Sequence, residues 1–352
     1  MSNLSAIDKN FAVSAHIKRD GMIFQNVLSQ PFSVHGVRME NGKFRRLPEK
    51  VAEAVSPGVL SLHTHTAGGR VRFRTDSRYI AIAAKMAEIG KMPHFALTGS
   101  AGFDMYVKSG SAETYGGSFV PLFDITDGYE SVIDFGEEEL RGITIDFPLY
   151  SGVNELYIGF DEKARLLEAE PYRISSPVVY YGSSITQGGC ASRPGNSYQA
   201  ILSRRFDCDY INLGFSGSAM AEDRMADYIA QLDMSMFVYD YDHNAPTPQH
   251  LLNTHKKLFR AVRKAKPDLP VVILSRPKHF LLDEEKQRLE IIRATFQEAV
   301  AAGDKNVCLL DGEMLTALCG NDGTVDNCHP NDYGFAAMAK AIGDTVEKLR
   351  YL

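Results

Sequence analysis

Residues 177–189 read Pro-Val-Val-Tyr-Tyr-Gly-Ser-Ser-Ile-Thr-Gln-Gly-Gly. A short apolar run with β-branched residues passes into glycine-flanked hydroxyls, which predicts a buried strand feeding a strand-to-helix turn. Such a turn holds a hydroxyl out of the sheet, beside a helix N-terminus. The structural reading is an N-cap serine. A phosphate-binding loop is a second reading, but no lysine follows where one is needed.

Downstream the pattern repeats. Helical spacing over 197–206 precedes a strand over 210–214, and a helix over 223–232 precedes a strand over 236–241. A helix over 251–265, a strand over 271–275, a helix over 284–302, a strand over 306–312 and a helix over 332–349 follow. Strands alternating with helices predict a parallel sheet with right-handed crossovers. Ligands in such sheets bind beyond the carboxyl ends of the strands. The chemistry is therefore expected in the loops that follow strands.

Upstream the periodicity changes. Residues 70–75 (RVRFRT) alternate with period two, and strand-like runs follow at 79–87, 95–99, 103–109, 118–124, 131–135, 142–149 and 155–160. Many short strands separated by Gly, Asp, Ser and Pro predict an antiparallel β-sandwich. Residues 161–177 are charged and bounded by Pro171 and Pro177, and read as a linker with one helical turn. The division is thus an all-β sandwich over 1–170 and an α/β domain over 171–352. Two domains agree with a length of 352 residues.

Composition narrows the function classes. Hydrophobic residues make up 44% and charged residues 23%, values typical of a globular chain rather than a disordered one. The net charge is −6 without a basic cluster, which argues against nucleic acid and anionic membranes as partners. The basic positions of 256–264 alternate with apolar ones and read as a solvated helix face. No apolar run reaches membrane-span length. The first residues, MSNLSAIDKNFAVSAHIKRDG, lack a basic segment followed by an apolar one, so no signal peptide is expected. Five scattered cysteines fit neither a disulfide framework nor a zinc spacing, which points to reduced thiols and a cytoplasmic location.

The strand-end loops carry the chemistry. The first holds Ser183 and Ser184. The second reads Asn212-Leu213-Gly214-Phe215-Ser216-Gly217-Ser218, where glycine lets backbone N–H groups approach a ligand. The third, Asp240-Tyr241-Asp242-His243-Asn244, is a polar run ending a buried strand; its Asn can cap a helix or aim an amide into a cleft. The last reads Asp326-Asn327-Cys328-His329-Pro330-Asn331-Asp332. An Asp three residues before a His can fix its tautomer and favour its charged form. The structural reading is an Asx-turn before a helix capped by Asp332.

The order Ser, Gly, Asn, Asp-x-x-His on successive strand-end loops resembles the SGNH (GDSL-type) hydrolase superfamily over about 175–352. The resemblance implies a flavodoxin-like three-layer α/β/α domain. It makes Ser184 the nucleophile, His329 the general base and Asp326 its orienting carboxylate. It makes the N–H groups of Ser184 and Gly217 and the amide of Asn244 the oxyanion hole. Elementary chemistry agrees: a hydroxyl needs an adjacent base, and a tetrahedral oxyanion needs donors set around it. The sequence departs from the family in two places. Ser183 stands where the family usually has Asp, and the third block reads Asp-His-Asn-Ala rather than ending Asn-Asp. Gly102-Phe103-Asp104-Met105-Tyr106 further resembles the Gly-x-Asp-Leu-Tyr signature of a β-sandwich that precedes some SGNH hydrolases.

Other residues have two readings each. Arg193 is a surface arginine or an anchor for an anionic or hydroxylated part of the substrate. His243 can line the cleft. His63 and His65 share a face if extended, but no third ligand lies near, so a structural pair is expected and no metal. Their loop can also reach the cleft. Cys190 and Cys328 lie in loops that converge in such a domain, and are expected as neighbouring thiols. The sandwich is expected to pack on the hydrolase domain and to bring one loop close to Ser184.

The expected activity is hydrolysis of a carboxylic ester through an acyl-serine, without cofactor. The best substrate reading is a short acyl group such as acetyl on a polar alcohol, a small-molecule or carbohydrate ester. An acyltransferase using the same intermediate and a binding protein with a decayed site are the rivals, and assembly as a homo-oligomer is compatible with both.

Overall fold

Residues 17–110 and 112–352 are described by a computed structural model. Residues 1–16, most of the stretch read above for a signal segment, lie outside them. The N-terminal half supplies β1 (Met22–Asn26), β2 (Ser33–His35), β3 (Arg38–Glu40), β4 (Lys43–Arg45), β5 (Arg70–Thr75) and β6 (Tyr79–Ala87). It continues with β7 (Phe103–Ser109), β8 (Ala112–Phe119), β9 (Gly128–Asp134), β10 (Arg141–Asp146), β11 (Gly152–Asp161) and β12 (Leu166–Leu167). One sheet runs β1-β11-β6-β9; the other runs β12-β5-β10-β7-β8, with β2 paired to β5. Their inner faces share one core, with Val71 and Phe73 of β5 buried against Ile80, Ile82, Phe103, Met105, Ile143 and Ile158.

The period-two reading of β5 is right about alternation but incomplete about its polar face. Arg70 and Arg72 are buried as well. Arg70 pairs with Asp209 of the C-terminal half, and the Arg72 guanidinium stacks 3.7 Å over Tyr172. The C-terminal half lies on this face, so the arginines gain carboxylate and aromatic partners instead of water.

Three local expectations are corrected. Residues 95–99 form no strand; a helical turn spans Leu97–Ser100. The run 118–124 leaves the sheet at Phe119, just before Pro121, which cannot donate to a ladder. The segment 161–177 has no helical turn. Leu166–Leu167 pair with β5, Arg165 bonds Asp76, and the next strand has begun by Ile174.

The C-terminal half supplies β13 (Ile174–Gly182), β14 (Cys208–Gly214), β15 (Met236–Asp240), β16 (Val271–Leu274) and β17 (Val307–Leu310). They form a parallel sheet in the order β14-β13-β15-β16-β17, the flavodoxin-like 2-1-3-4-5 arrangement. Along β13, Val178 and Tyr180 face the helices Tyr198–Phe206 and Asp332–Leu349, while Val179 and Tyr181 face Asp223–Gln231 and Pro248–Ala265. Burial on both faces explains the unbroken apolar run that marked this strand. The strand order reverses between β13 and β15, which opens a crevice at their carboxyl ends.

Packing does not follow the boundary at residue 170. The helices Glu49–Val55 and Pro57–Leu62 bury Ala52 and Val59 against Leu213, Phe215, Met225 and Ile229. Ala67, Phe95, Leu149 and Tyr150 join the core on the opposite side of the parallel sheet. The N-terminal half thus contributes to both flanking layers around the strand ends.

Candidate active site

Strand β13 ends at Gly182, where a Cβ would lie 2.0 Å from the Asp240 carbonyl oxygen and 2.2 Å from Thr186 Oγ1. Only glycine lets these chains approach so closely. Ser183 takes the cap role, its hydroxyl accepting from Ile185 N–H at 3.2 Å. Ser184, the first helical residue, therefore keeps its hydroxyl for other work. Its Oγ lies 2.8 Å from His329 Nε2, and His329 Nδ1 lies 2.8 Å from Asp326 Oδ2. With Nδ1–H donating to the carboxylate, Nε2 is left to accept the serine proton.

The Asp-x-x-His turn satisfies both readings of Asp326. Oδ1 accepts the N–H groups of His329 at 2.7 Å and Cys328 at 3.1 Å, as an Asx-turn does, while Oδ2 holds the ring. Burial raises the Asp326 carboxyl, but the hydrogen bonds and charge of His329 outweigh it and leave it below its ordinary value. Asp326 is thus the charged partner a general base needs. The cap of the final helix is Asn331, which accepts from Gly334 N–H at 3.0 Å. Asp332, expected there, instead accepts Ser192 N–H at 2.9 Å and Ser192 Oγ–H at 2.5 Å. It ties the histidine loop to the loop after Ser184.

Three strand-end loops carry N–H groups that have no acceptor among the described residues. The N–H of Ser184 begins a helix and has no intrahelical acceptor. Gly217 sits at φ +67°, a conformation suited to glycine, and no acceptor takes its N–H among the described residues. Asn244 uses one amide proton on the Phe215 carbonyl at 2.8 Å, which ties the second and third loops together and leaves its other proton free. The third loop is anchored beneath. Arg276 grips Asp242 through Nε at 2.8 Å and Nη2 at 3.0 Å, and Arg288 donates to the carbonyls of Asp242 and Ala245.

The comparisons agree with this fold. Residues 175–347 match the model of the GDSL-like lipase/acylhydrolase family, and residues 22–166 match the N-terminus of SGNH-hydrolase-type esterases. The C-terminal half is a GDSL-like lipase/acylhydrolase domain. The chain is an esterase of that type. Its fold is similar to a Bacteroides ovatus protein assigned to the GDSL-like lipases (27% identity, TM-score 0.83, covering 94% of this chain and 98% of that one). It is also similar to a salicylyl-acyltransferase from a tetracycline biosynthetic pathway (17% identity, TM-score 0.76, 95% and 99%). A third likeness is to an acetyl xylan esterase from the rumen bacterium Butyrivibrio proteoclasticus (10% identity, TM-score 0.58, 94% and 100%). No curated protein sequence matches the chain. Among the described residues no helix is long and apolar enough to cross a membrane.

In this esterase the Gly-x-Asp-Leu-Tyr-like segment has a visible task. Asp104, fully buried, accepts Arg193 Nη1 at 2.7 Å and Gly195 N–H at 3.1 Å, and the Tyr106 hydroxyl meets Arg193 Nη1 at 2.5 Å. The Arg193 guanidinium also lies 3.9 Å over the Tyr115 ring. Arg193, read above as a surface arginine or a substrate anchor, spends its charge on the seam between the sandwich and the loop after Ser184. A buried carboxylate requires such a partner.

His65, read above as a structural residue or as part of a loop reaching the cleft, contacts the helical turn that begins at Ser184. Its Nδ1 accepts from Gln187 Nε2 at 3.0 Å. Gln187 also donates to the Leu149 carbonyl and accepts the Ser216 N–H at 3.1 Å, next to Gly217. Burial, with Arg46 nearby, drops His65 to about 3, so it serves as a neutral acceptor. His63 Nδ1 donates to the Leu60 carbonyl. His243 is held neutral by burial, its pKa lowered to about 4; Nδ1 lies 3.8 Å from Cys328 Sγ and Nε2 is buried without a partner. All five cysteines are free thiols.

Sequence reasoning missed several residues. Tyr150 donates its hydroxyl to the Ser184 carbonyl at 3.2 Å. The His94 ring lies 6.1 Å from that of His329. Arg46 is buried among carbonyls, donating to those of Leu62, His65 and Gly214, and burial lowers its pKa to about 9. Asp240 is buried with both carboxyl oxygens unpartnered; burial and the charge of Asp242 push it well above the usual carboxylate range. The only local signal for any of these was the aspartate-rich end of the third strand.

Proposed function

We propose that Ser184 attacks the carbonyl carbon of a short-chain carboxylic ester, most simply an acetyl ester of a polar alcohol such as a sugar. The observation that carries this reading is the Ser184–His329–Asp326 relay, with successive 2.8 Å contacts; the N–H groups of Ser184 and Gly217 and the second amide proton of Asn244 are taken as the oxyanion donors. His329 takes the Ser184 proton as the tetrahedral intermediate forms and returns it to the leaving alcohol. The three donors stabilise the oxyanion, each worth about 10²–10³ in rate. Water activated by His329 then releases the acid. Asp326 stays ionised and stabilises the imidazolium.

The substrate class is supported by the acetyl xylan esterase and family two carbohydrate esterases that share the fold. The test is a series of p-nitrophenyl esters of graded chain length, followed by acetylated sugars. The expected result is highest kcat/KM for acetate and release of acetate from the sugar. A preference for long acyl chains would defeat the substrate reading while leaving the serine chemistry standing.

A second reading, transfer of the acyl group to an alcohol, is favoured by the whole-chain likeness to the salicylyl-acyltransferase. An open depression of about 530 Å³ lined by Met92, Phe95, Leu97 and Phe123 offers apolar surface for an aromatic group. Product analysis with candidate alcohols separates the two outcomes.

A further inference from the structure

Three side chains that meet at the mouth of the relay have no joint role in ester hydrolysis. His94 comes from the N-terminal half, Cys190 from the loop after Ser184, and His329 from the final loop. One ligand-type atom of each lies within 4.8 Å of the other two. We propose that His94, Cys190 and His329 form an inhibitory site for Zn²⁺ or a similarly soft divalent cation, which silences the esterase by taking the lone pair of His329 Nε2.

The donor set fits the ion. Two imidazoles and a thiolate are ligands that borderline-soft metals select, and three protein ligands leave a fourth position for water. Bonds of about 2.0–2.3 Å in a tetrahedral site set ligand atoms on the order of 3.5 Å apart, so closure needs shifts of about 1 Å. The surroundings also fit. Asp326 already holds His329 Nδ1 at 2.8 Å, the carboxylate–histidine arrangement that orients a metal-binding imidazole and leaves Nε2 for the ion. His94 is exposed while Cys190 is buried, which gives the ion a path inward from the His94 side. Cys190 lies at φ +74°, a conformation uncommon for a side-chain-bearing residue, so a turn sets the place of its thiol.

Binding is a ligand exchange without electron transfer. The Cys190 thiol releases its proton to solvent as the sulfur–metal bond forms. His94 and His329 donate ring-nitrogen lone pairs, and His329 gives up the Ser184 hydroxyl, which keeps its proton. The base is thereby removed from the nucleophile.

Only the inhibitory consequence rests on the esterase reading; the site itself is read by Co²⁺. Metal-free protein titrated with Co²⁺ is expected to show a thiolate-to-cobalt charge-transfer band saturating at one equivalent, lost in Cys190→Ser and shifted in His94→Gln. In hydrolysis of p-nitrophenyl acetate, Zn²⁺ is expected to inhibit the wild type reversibly, with full recovery on adding EDTA. Cys190→Ser is expected to keep the uninhibited rate and to need at least about tenfold more Zn²⁺ for half inhibition. Absence of the cobalt thiolate band, or equal Zn²⁺ inhibition of wild type and Cys190→Ser, would overturn the proposal. If the band forms in a protein that hydrolyses no ester, the site stands and the catalytic reading fails.

Discussion

The Tyr150 hydroxyl, at the end of the N-terminal half, donates to the backbone carbonyl of Ser184 at 3.2 Å. The same carbonyl accepts the N–H groups of Gly188 and Gly189, so the turn carrying Ser184 is fixed from both halves of the chain. The Tyr150 ring is buried in the core shared with Phe95, Val178 and Ile185. A sandwich that was expected to send a loop toward Ser184 does more: it supplies a hydrogen bond to the Ser184 peptide itself. A C-terminal fragment starting near residue 174 would expose Ile185, Leu213 and Phe215 where Tyr150, Leu47 and Val59 now cover them.

Ser184→Ala and His329→Ala are each expected to lower kcat by about 10⁴-fold or more, with the double variant scarcely worse, because the two act as a unit. Ser183→Ala is the control. It loses an N-cap bond, costing about 1 kcal/mol of stability, but keeps most activity. Steady-state kinetics and thermal melts of the four proteins check this together.

Asn244→Ala is expected to lower kcat by about 10²-fold with little change in KM, since the oxyanion exists only in the transition state. The lost bond to Phe215 also loosens the loop carrying Gly217, so Asn244→Asp, with no amide proton to give the oxyanion, should fare no better. Raised KM at normal kcat would assign Asn244 to ground-state binding.

Arg193→Ala should act on stability rather than on KM. It leaves Asp104 buried with the Gly195 N–H as its hydrogen-bond donor and the Arg204 charge nearby, a loss of about 3 kcal/mol by comparison with broken buried pairs. Urea unfolding of Arg193→Ala, Asp104→Ala and the double variant gives the coupling energy. Unchanged stability with a large rise in KM would restore the substrate-anchor reading of Arg193.

Asp146 faces Asp104 across the β10–β7 pairing, and burial followed by that neighbour's charge pushes it up to about 7. A raised folded-state value means the protonated form is favoured by folding. Its contribution is fully present below the unfolded value of 3.8 and is lost as pH rises through about 7. Tm is therefore expected to fall between pH 5 and pH 8, and Asp146→Asn should flatten that slope. An equal slope in wild type and variant contradicts the assignment.

Much of this was legible in the chain because the signals were local. A period-two run marked β5, short strand-like runs marked β7 and β11, an apolar β-branched run marked β13, and the Asp326–His329 spacing is a turn that closes on itself. What stayed hidden depends on partners far away in sequence. Arg193 meets Asp104 across 89 positions and Tyr150 meets Ser184 across 34. The helices Glu49–Val55 and Pro57–Leu62 are too short for their apolar positions to show a period, yet they cover the Gly217 side of the sheet. His94 is a lone exposed histidine in the sequence and gains meaning only beside His329.

The central claim is that Ser184 becomes acylated with His329 as its base. The most direct measurement is reaction of the protein with a p-nitrophenyl phosphonate, a covalent mimic of the tetrahedral intermediate, followed by peptide mass mapping. The account predicts one equivalent of adduct on Ser184, none in Ser184→Ala, and far slower labelling in His329→Ala. Adduct on another residue, or hydrolysis that persists while Ser184 stays unlabelled, would contradict it.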